Sequence, residues 1–195
     1  MAAPLVVWID DGRGPRAWSE ATARALRESG FVVESASGTS KSDRQALAEL
    51  EALLATFAKD ARIDSRRIGV IGVGRAGTLA FELACTSRRV KASVVIAAPL
   101  LYESLDAHRP IQPLELALNL DAPMLALFAA HDEHVPGAHV EFLRRIGDQA
   151  AKPIELVVYA QAASGFLDSS SPEVRAGDAS DAAARAVAFF ADALG

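Results

Sequence analysis

Arg67-Ile68-Gly69-Val70-Ile71-Gly72-Val73-Gly74-Arg75-Ala76-Gly77 is the stretch on which the fold is decided. Its first part, Arg67–Gly72, is an apolar run rich in β-branched residues, as a strand buried on both faces requires. Its second part sets small residues at a turn that opens a segment of helical period. Outward from it the same alternation repeats. Strands are expected at Leu5–Asp10, Phe31–Ser35, Ala92–Ala97, Met124–Ala129 and Ile154–Tyr159. Helical patterns lie between them at Trp18–Ser29, Ser42–Lys59, Pro136–Gln149 and Ser180–Leu194. In the second of these, Leu47, Leu50, Leu53, Leu54 and Phe57 form one apolar stripe. Six strands alternating with helices predict an α/β fold, a parallel sheet covered on both faces in a three-layer sandwich. Neither an internal repeat nor a linker is visible, so residues 1–195 are read as one domain. Two irregular stretches, Pro99–Asp121 and Ser169–Asp178, are read as a lid-like excursion and a polar loop. Sheets of this type bind ligands at the carboxyl ends of their strands, so the residues just after each strand carry the functional interest.

Composition narrows the chemistry. Twenty Lys plus Arg against 25 Asp plus Glu give a formal charge of −5. Binding a phosphate backbone needs clustered positive charge. The small basic groups here, Arg66-Arg67 and Arg88-Arg89 with Lys91, read as solvated charges at element ends. Nucleic acid is therefore not an expected partner. A single Cys85 excludes an intramolecular disulfide and a cysteine-rich metal site. No apolar run reaches the length of a membrane span, and Met1 leads into a strand without a basic flank or cleavage site. A soluble, cytoplasmic protein is the expectation, with its oligomeric state left open.

The glycine turn admits two chemistries. As G-x-G-x-x-G, Gly72–Gly77 matches the dinucleotide fingerprint, in which glycines let a pyrophosphate approach a helix N-terminus. That fingerprint belongs after the first strand of its unit and needs an acidic residue at the end of the next. Here two strands precede it, and the next strand ends Val94-Val95-Ile96-Ala97-Ala98-Pro99 without a carboxylate. A dinucleotide-dependent oxidoreductase is accordingly the third reading. As G-x-Nuc-x-G, the turn is a nucleophile elbow, where a sharp bend exposes a Ser or Cys. The nucleophile position then holds Gly74, which has no atom to attack a carbonyl. An ordinary glycine-rich turn would look the same.

Nearly the whole chain resembles the dienelactone hydrolase family of α/β hydrolases. Ile63-Asp64-Ser65-Arg66-Arg67-Ile68-Gly69-Val70-Ile71-Gly72 is similar to the family's lead-in to an elbow of the form G-x-C-x-G-G or G-x-S-x-G-G. Ala122-Pro123-Met124-Leu125-Ala126-Leu127-Phe128 is similar to its penultimate strand, and Asp132-Glu133-His134-Val135-Pro136 to its D-x-x-V-P turn. Val158-Tyr159-Ala160-Gln161-Ala162-Ala163-Ser164-Gly165-Phe166 matches the last strand and the loop ending H-G-F, with Ser164 in place of the histidine. Asp11-Gly12-Arg13-Gly14 loosely matches an E-x-x-G carboxylate motif after the first strand. The resemblance implies an α/β-hydrolase fold with six parallel strands in the order 2-1-3-4-5-6. It places the nucleophile on Gly74, the acid on Asp132 and the base on Ser164.

Only the acid of that triad is present. Acyl transfer needs a nucleophile, a base for its proton and an acid to orient the base. An oxyanion hole needs no particular side chain, since it uses the backbone N–H of Arg75 and one from the loop after the first strand. The expectation is a hydrolase-like protein lacking nucleophile and base, which binds a small ester, lactone or carboxylate, or a partner, without turning it over. Asp11, Arg75, Tyr102 and His134 are the candidate ligand-binding residues. The alternative is a working hydrolase of small esters or lactones built on a non-standard pair such as Ser164 with His134. His131 and His134 otherwise read as solvated loop residues, Cys85 as a small core residue, and Tyr102 and His108 as cover over the sheet. Asp10 and Asp11 form too small an acidic cluster for a hard-cation site. Neither a metal nor a cofactor is expected. Asp132 is expected to bond backbone N–H groups, Ser164 or a nearby His.

Overall fold

The computed structural model describes residues 2–12, 17–40, 42–168 and 176–195. Arg13 and Gly14 of the carboxylate motif, and most of the polar loop Ser169–Asp178, lie outside the described residues. Six strands, β1 (Ala3–Asp10), β2 (Val32–Ser37), β3 (Ile63–Val73), β4 (Val90–Ile96), β5 (Met124–His131) and β6 (Ile154–Ala163), form one sheet. Their order is β2-β1-β3-β4-β5-β6, and every pairing is parallel. Four of the five connections carry α1 (Ala17–Glu28), α2 (Asp43–Phe57), α3 (Arg75–Thr86) and α4 (Gly137–Gln149), the β4–β5 connection has no α-helix, and α5 (Ala176–Leu194) follows β6. The expected architecture, strand order included, is the one observed.

Burial explains which expectations were clean. In β3, β4 and β5 the runs Ile68–Gly72, Ala92–Ile96 and Met124–Ala129 are buried throughout. Two apolar clusters flank the sheet. One joins it to α2, α3 and α4 through Leu50, Leu54, Leu79, Phe81 and Leu143. The other joins it to α1 and α5 through Leu26, Ala182, Ala186 and Phe190. The edge strands differ from the expectation of burial on both faces. β6 buries only Tyr159 and Ala162 and leaves its other residues half-buried or exposed, Val158 at 37%, because a strand at the border of a sheet has only one neighbour to cover it. β3 begins four residues earlier than its apolar pattern, and its register with β1 slips between Ala3 and Leu5. Asp64 organises this exposed start, accepting from the backbone N–H of Arg66 and the guanidinium of Arg67.

The excursion after β4 has more structure than the sequence revealed. It opens at Ala97, whose φ of 48° is uncommon for a residue with a side chain. It then carries a 3-10 helix, Pro113–Asn119, with Leu114 and Ala117 packed into the α3 side of the core. Proline at the start of that turn and a single apolar repeat are too short a signal for a periodicity argument.

Close approach fixes the bend between β3 and α3. A Cβ on Gly72 would collide with the carbonyl of Ala76 and lie 2.7 Å from the backbone N of Gly77. Backbone cannot move aside as a side-chain tip can. Gly72→Ala is therefore expected to lower unfolding free energy by roughly 3 kcal/mol or more in urea denaturation. Gly137→Ala, whose Cβ would meet nothing within 4 Å, should stay within about 1 kcal/mol of the parent. Equal effects at the two positions would contradict the account of the bend.

Candidate active site at the elbow

Parallel strands deliver their following loops to one edge, and three of these loops carry the site. Gly74 follows β3, Asp132 follows β5 and Ser164 follows β6. Gly74 has φ 60° and ψ −127°, outside the common allowed regions for an L-residue. Its N–H donates to the carbonyl of Ile96 at 2.8 Å, and its own carbonyl accepts from the N–H of Thr78 at 3.0 Å. The residue thus bridges the end of β4 and the first turn of α3. A Cβ built on it would meet no heavy atom within 4 Å. The backbone makes the sharp strand-to-helix bend expected of a nucleophile elbow, with open space where a side chain would stand.

The acid position is organised differently from a triad. Asp132 Oδ1 accepts from the backbone N–H of His134 at 2.9 Å and from the Ser164 hydroxyl at 2.7 Å. Ser164 Oγ accepts in turn from the N–H of Glu133 at 2.9 Å. The expectation for Asp132 is met by two of its three named kinds of donor, backbone N–H and Ser164. His134 contributes its backbone, and its side chain is exposed. The result is a closed hydrogen-bonded ring between the β5 and β6 loops.

The four candidate ligand-binding residues separate into different surroundings. Asp11 lines a cavity of about 590 Å³ that also touches Val73 and Ala76 on either side of the elbow. Arg75, the first residue of α3, turns its guanidinium to Asp43 Oδ1 at 2.5 Å and to the carbonyl of Ser40 at 2.9 Å. Tyr102 donates its hydroxyl to the other oxygen of Asp43 at 2.9 Å. Arg75 and Tyr102 are therefore brought together, through Asp43, over α2 and the excursion. Oxyanion donors are arranged less freely than expected. Gly12, in the loop after β1, gives its N–H to Asp10 Oδ1 at 2.8 Å. The N–H groups of the first turn of α3, Arg75 and Ala76, have no intrahelical acceptor by geometry.

Two residues absent from the sequence reading complete this region. Asp43 is 3% exposed and holds both Arg75 and Tyr102; its backbone N–H also bonds the carbonyl of His108 in the excursion. In sequence it looks only like an acidic helix start. Glu82 is 1% exposed on α3, and its Oε2 has no partner among the described residues. Its signal was legible: one carboxylate inside Leu79-Ala80-Phe81-Glu82-Leu83-Ala84-Cys85. Burial, then the Asp43 carboxylate, push the Glu82 carboxyl up to about 8, with Arg75 opposing. Burial pushes the Cys85 thiol up to about 12, as suits a core residue and not a thiolate nucleophile. Burial, then Glu82 and the bond to Asp43, also raise Tyr102. Among the described residues no group of three or more His, Cys, Asp or Glu could hold a metal ion, and no helix is long and apolar enough to cross a membrane.

The elbow, the acid loop and the parallel sheet together define the α/β-hydrolase class. The dienelactone hydrolase family model matches residues 34–194, and the chain belongs to that family. A protein of Methylorubrum extorquens named as a candidate carboxymethylenebutenolidase is 30% identical over 139 residues, 71% of this chain and 47% of its own length. One of Bradyrhizobium named as a candidate 2-oxo-3-(5-oxofuran-2-ylidene)propanoate lactonase is 28% identical over 125 residues, 64% of this chain and 50% of its own. The chain thus spans about half the length of the curated relatives it matches. Among solved structures, a candidate dienelactone hydrolase from Klebsiella pneumoniae superposes with a TM-score of 0.87 at 23% identity, covering 97% of this chain and 87% of that one. Est1E from Butyrivibrio proteoclasticus gives 0.75 at 15% identity, covering 98% and 88%.

The buried carboxyl yields a pH test. Glu82 titrates near 8 when folded and near its ordinary 4.5 when unfolded. Below 4.5 both states are protonated. Between 4.5 and 8 the unfolded state loses its proton first, so stability falls as pH rises, by up to about 1.4 kcal/mol per pH unit. Above 8 the loss is complete and constant. Glu82→Gln should remove this slope and stabilise the protein at pH 8 relative to the parent. Parallel stability curves for the two proteins from pH 5 to 8 would refute the assignment.

Proposed function

We propose that this chain is a dienelactone-hydrolase-family protein that binds a small molecule at the elbow without hydrolysing it. The observation that carries this reading is Gly74. It keeps the strained backbone of the nucleophile position and offers no attacking atom, with open space above it. The second support is Ser164, whose hydroxyl is committed to Asp132 and to the Glu133 N–H and supplies no imidazole. A hydroxyl in that ring is a poor base, being itself a donor to a carboxylate. What remains of the machinery is binding: unshared N–H groups at the start of α3 and a cavity beside them. A partner protein is the other occupant this role admits. Cytoplasmic location belongs to the same proposal.

The competing reading is a working hydrolase of small esters or lactones, and the names of its relatives favour it. Ser164 with the exposed His134 would be its non-standard pair. Turnover separates the two. The purified protein should release no more product from small aryl esters or lactones than a heat-denatured control. Gly74→Ser alone should add little, because its hydroxyl stays protonated without a base. Gly74→Ser with Ser164→His should create ester hydrolysis well above background, with Asp132 orienting the new imidazole. The serine side chain at that φ is expected to cost on the order of 1–3 kcal/mol of stability. Robust turnover by the unmodified protein, abolished by Ser164→Ala, would overturn the non-catalytic reading.

A further inference from the structure

The cavity beside the elbow extends away from the triad positions, along the α1 face of the sheet, and its walls have a chemistry of their own. Trp8 of β1 and Trp18 of α1 both line it, and they are the chain's two tryptophans. Their ring centroids lie 5.7 Å apart at 60°, an edge-to-face pair. Trp18 is anchored by its indole N–H, which donates to the carbonyl of Ala179 in α5 at 2.7 Å. Trp8 pairs in the sheet with Ser35 of β2, which also lines the cavity. The two rings, one on the strand and one on the helix that covers it, border about 590 Å³ of open space, within the range of small-molecule sites.

The polar groups of this wall decide what fits. Arg24 and Arg27, one turn apart on α1, line the same cavity. Arg27 gives one N–H to the carbonyl of Val33 at 3.3 Å. Arg24 has no hydrogen bond or ion pair among the described residues, although Glu20 lies one turn before it. The Ser35 hydroxyl is likewise unshared there. Acceptors are differently placed. Asp10 is turned to Gly12, and Asp11 is engaged as well. Both belong with Glu20 to the end of the cavity formed by the β1 terminus and the first turn of α1. Spare hydrogen-bonding capacity on the wall is thus mainly donor capacity beside aromatic surface. Guanidinium forks match a planar carboxylate, and indole faces and edges match a flat ring. The carboxylates of Asp10, Asp11 and Glu20 in the same lining repel a second negative charge.

We infer that this cavity is a binding site for an aromatic monocarboxylate, its ring against Trp8 and Trp18 and its carboxylate on Arg24 and Arg27. The inference deepens the ligand-binding role proposed above and rests on it, yet it is read by a separate measurement. Tryptophan emission of the intact protein is followed while phenylacetate is added, with phthalate, 2-phenylethanol and phenethylamine as comparisons. Phenylacetate should change the emission saturably. Phthalate and 2-phenylethanol should bind at least about fivefold more weakly, and phenethylamine more weakly still. Arg24→Ala, at an exposed position where folding is not at stake, should weaken phenylacetate by a similar factor. Trp8→Phe and Trp18→Phe should each remove part of the signal. A linear, unsaturable response to phenylacetate would overturn the site, and so would equal or tighter binding of phenethylamine. Unchanged affinity in Arg24→Ala would overturn the assignment of the carboxylate. Ester turnover in the unmodified protein would instead refute the non-catalytic role and leave these binding readings interpretable.

Discussion

One bond, from the Gly74 N–H to the carbonyl of Ile96, fixes the place where β3 becomes α3. It ties the turn to the neighbouring strand while Gly74 holds φ 60° and ψ −127°. A conformation of that kind persists only where its surroundings over-determine it. They do so here through Gly72, whose missing side chain lets the Ala76 carbonyl close over the bend. α3 then starts directly beneath the turn and runs buried from Ala76 to Cys85, the most enclosed helix of the fold. Burying a whole helix on all sides leaves room for only small or apolar residues, and Glu82 is the exception. The geometry of the site and the packing of the core thus share one cause.

The fold was legible because its strongest signals are unambiguous. Ile68–Gly72, Ala92–Ile96 and Met124–Ala129 are buried on both faces, and their apolar runs show it. Six such runs separated by helical periods leave few topologies. The limits of β6 and the start of β3 were less legible because an edge strand is only partly covered and because Asp64 organises a polar entry that no apolar pattern marks. The 3-10 helix at Pro113–Asn119 is too short for periodicity to reveal it.

The site was legible in its frame and not in its bonds. Family motifs alone imply that Gly74, Asp132 and Ser164 share one edge of the sheet. They carried no information on how Asp132 and Ser164 are bonded, because that ring uses backbone N–H groups of Glu133 and His134. Arg75 and Tyr102 were singled out as separate candidates. Their joint attachment to Asp43 is a long-range contact, 32 and 59 residues apart in sequence. Only the tertiary structure brings such groups together, so no local pattern announces them.

The hydrogen bonds of Asp132 give it a physical role independent of catalysis. A half-buried carboxylate needs donors, and in a working triad an imidazole N–H supplies one of them. Here the Ser164 hydroxyl takes that place at 2.7 Å and passes its own acceptor to the Glu133 N–H. The ring fastens the β5 loop to the β6 loop at the point where their strand register slips, between Ala129 and His131. Removing the carboxylate would leave the N–H of His134 and the hydroxyl of Ser164 without this acceptor and loosen the tie between the two loops. Asp132 therefore has a structural reason to persist that Gly74 lacks. A side chain on Gly74 would project into open space, contribute nothing to packing and strain a φ that favours glycine.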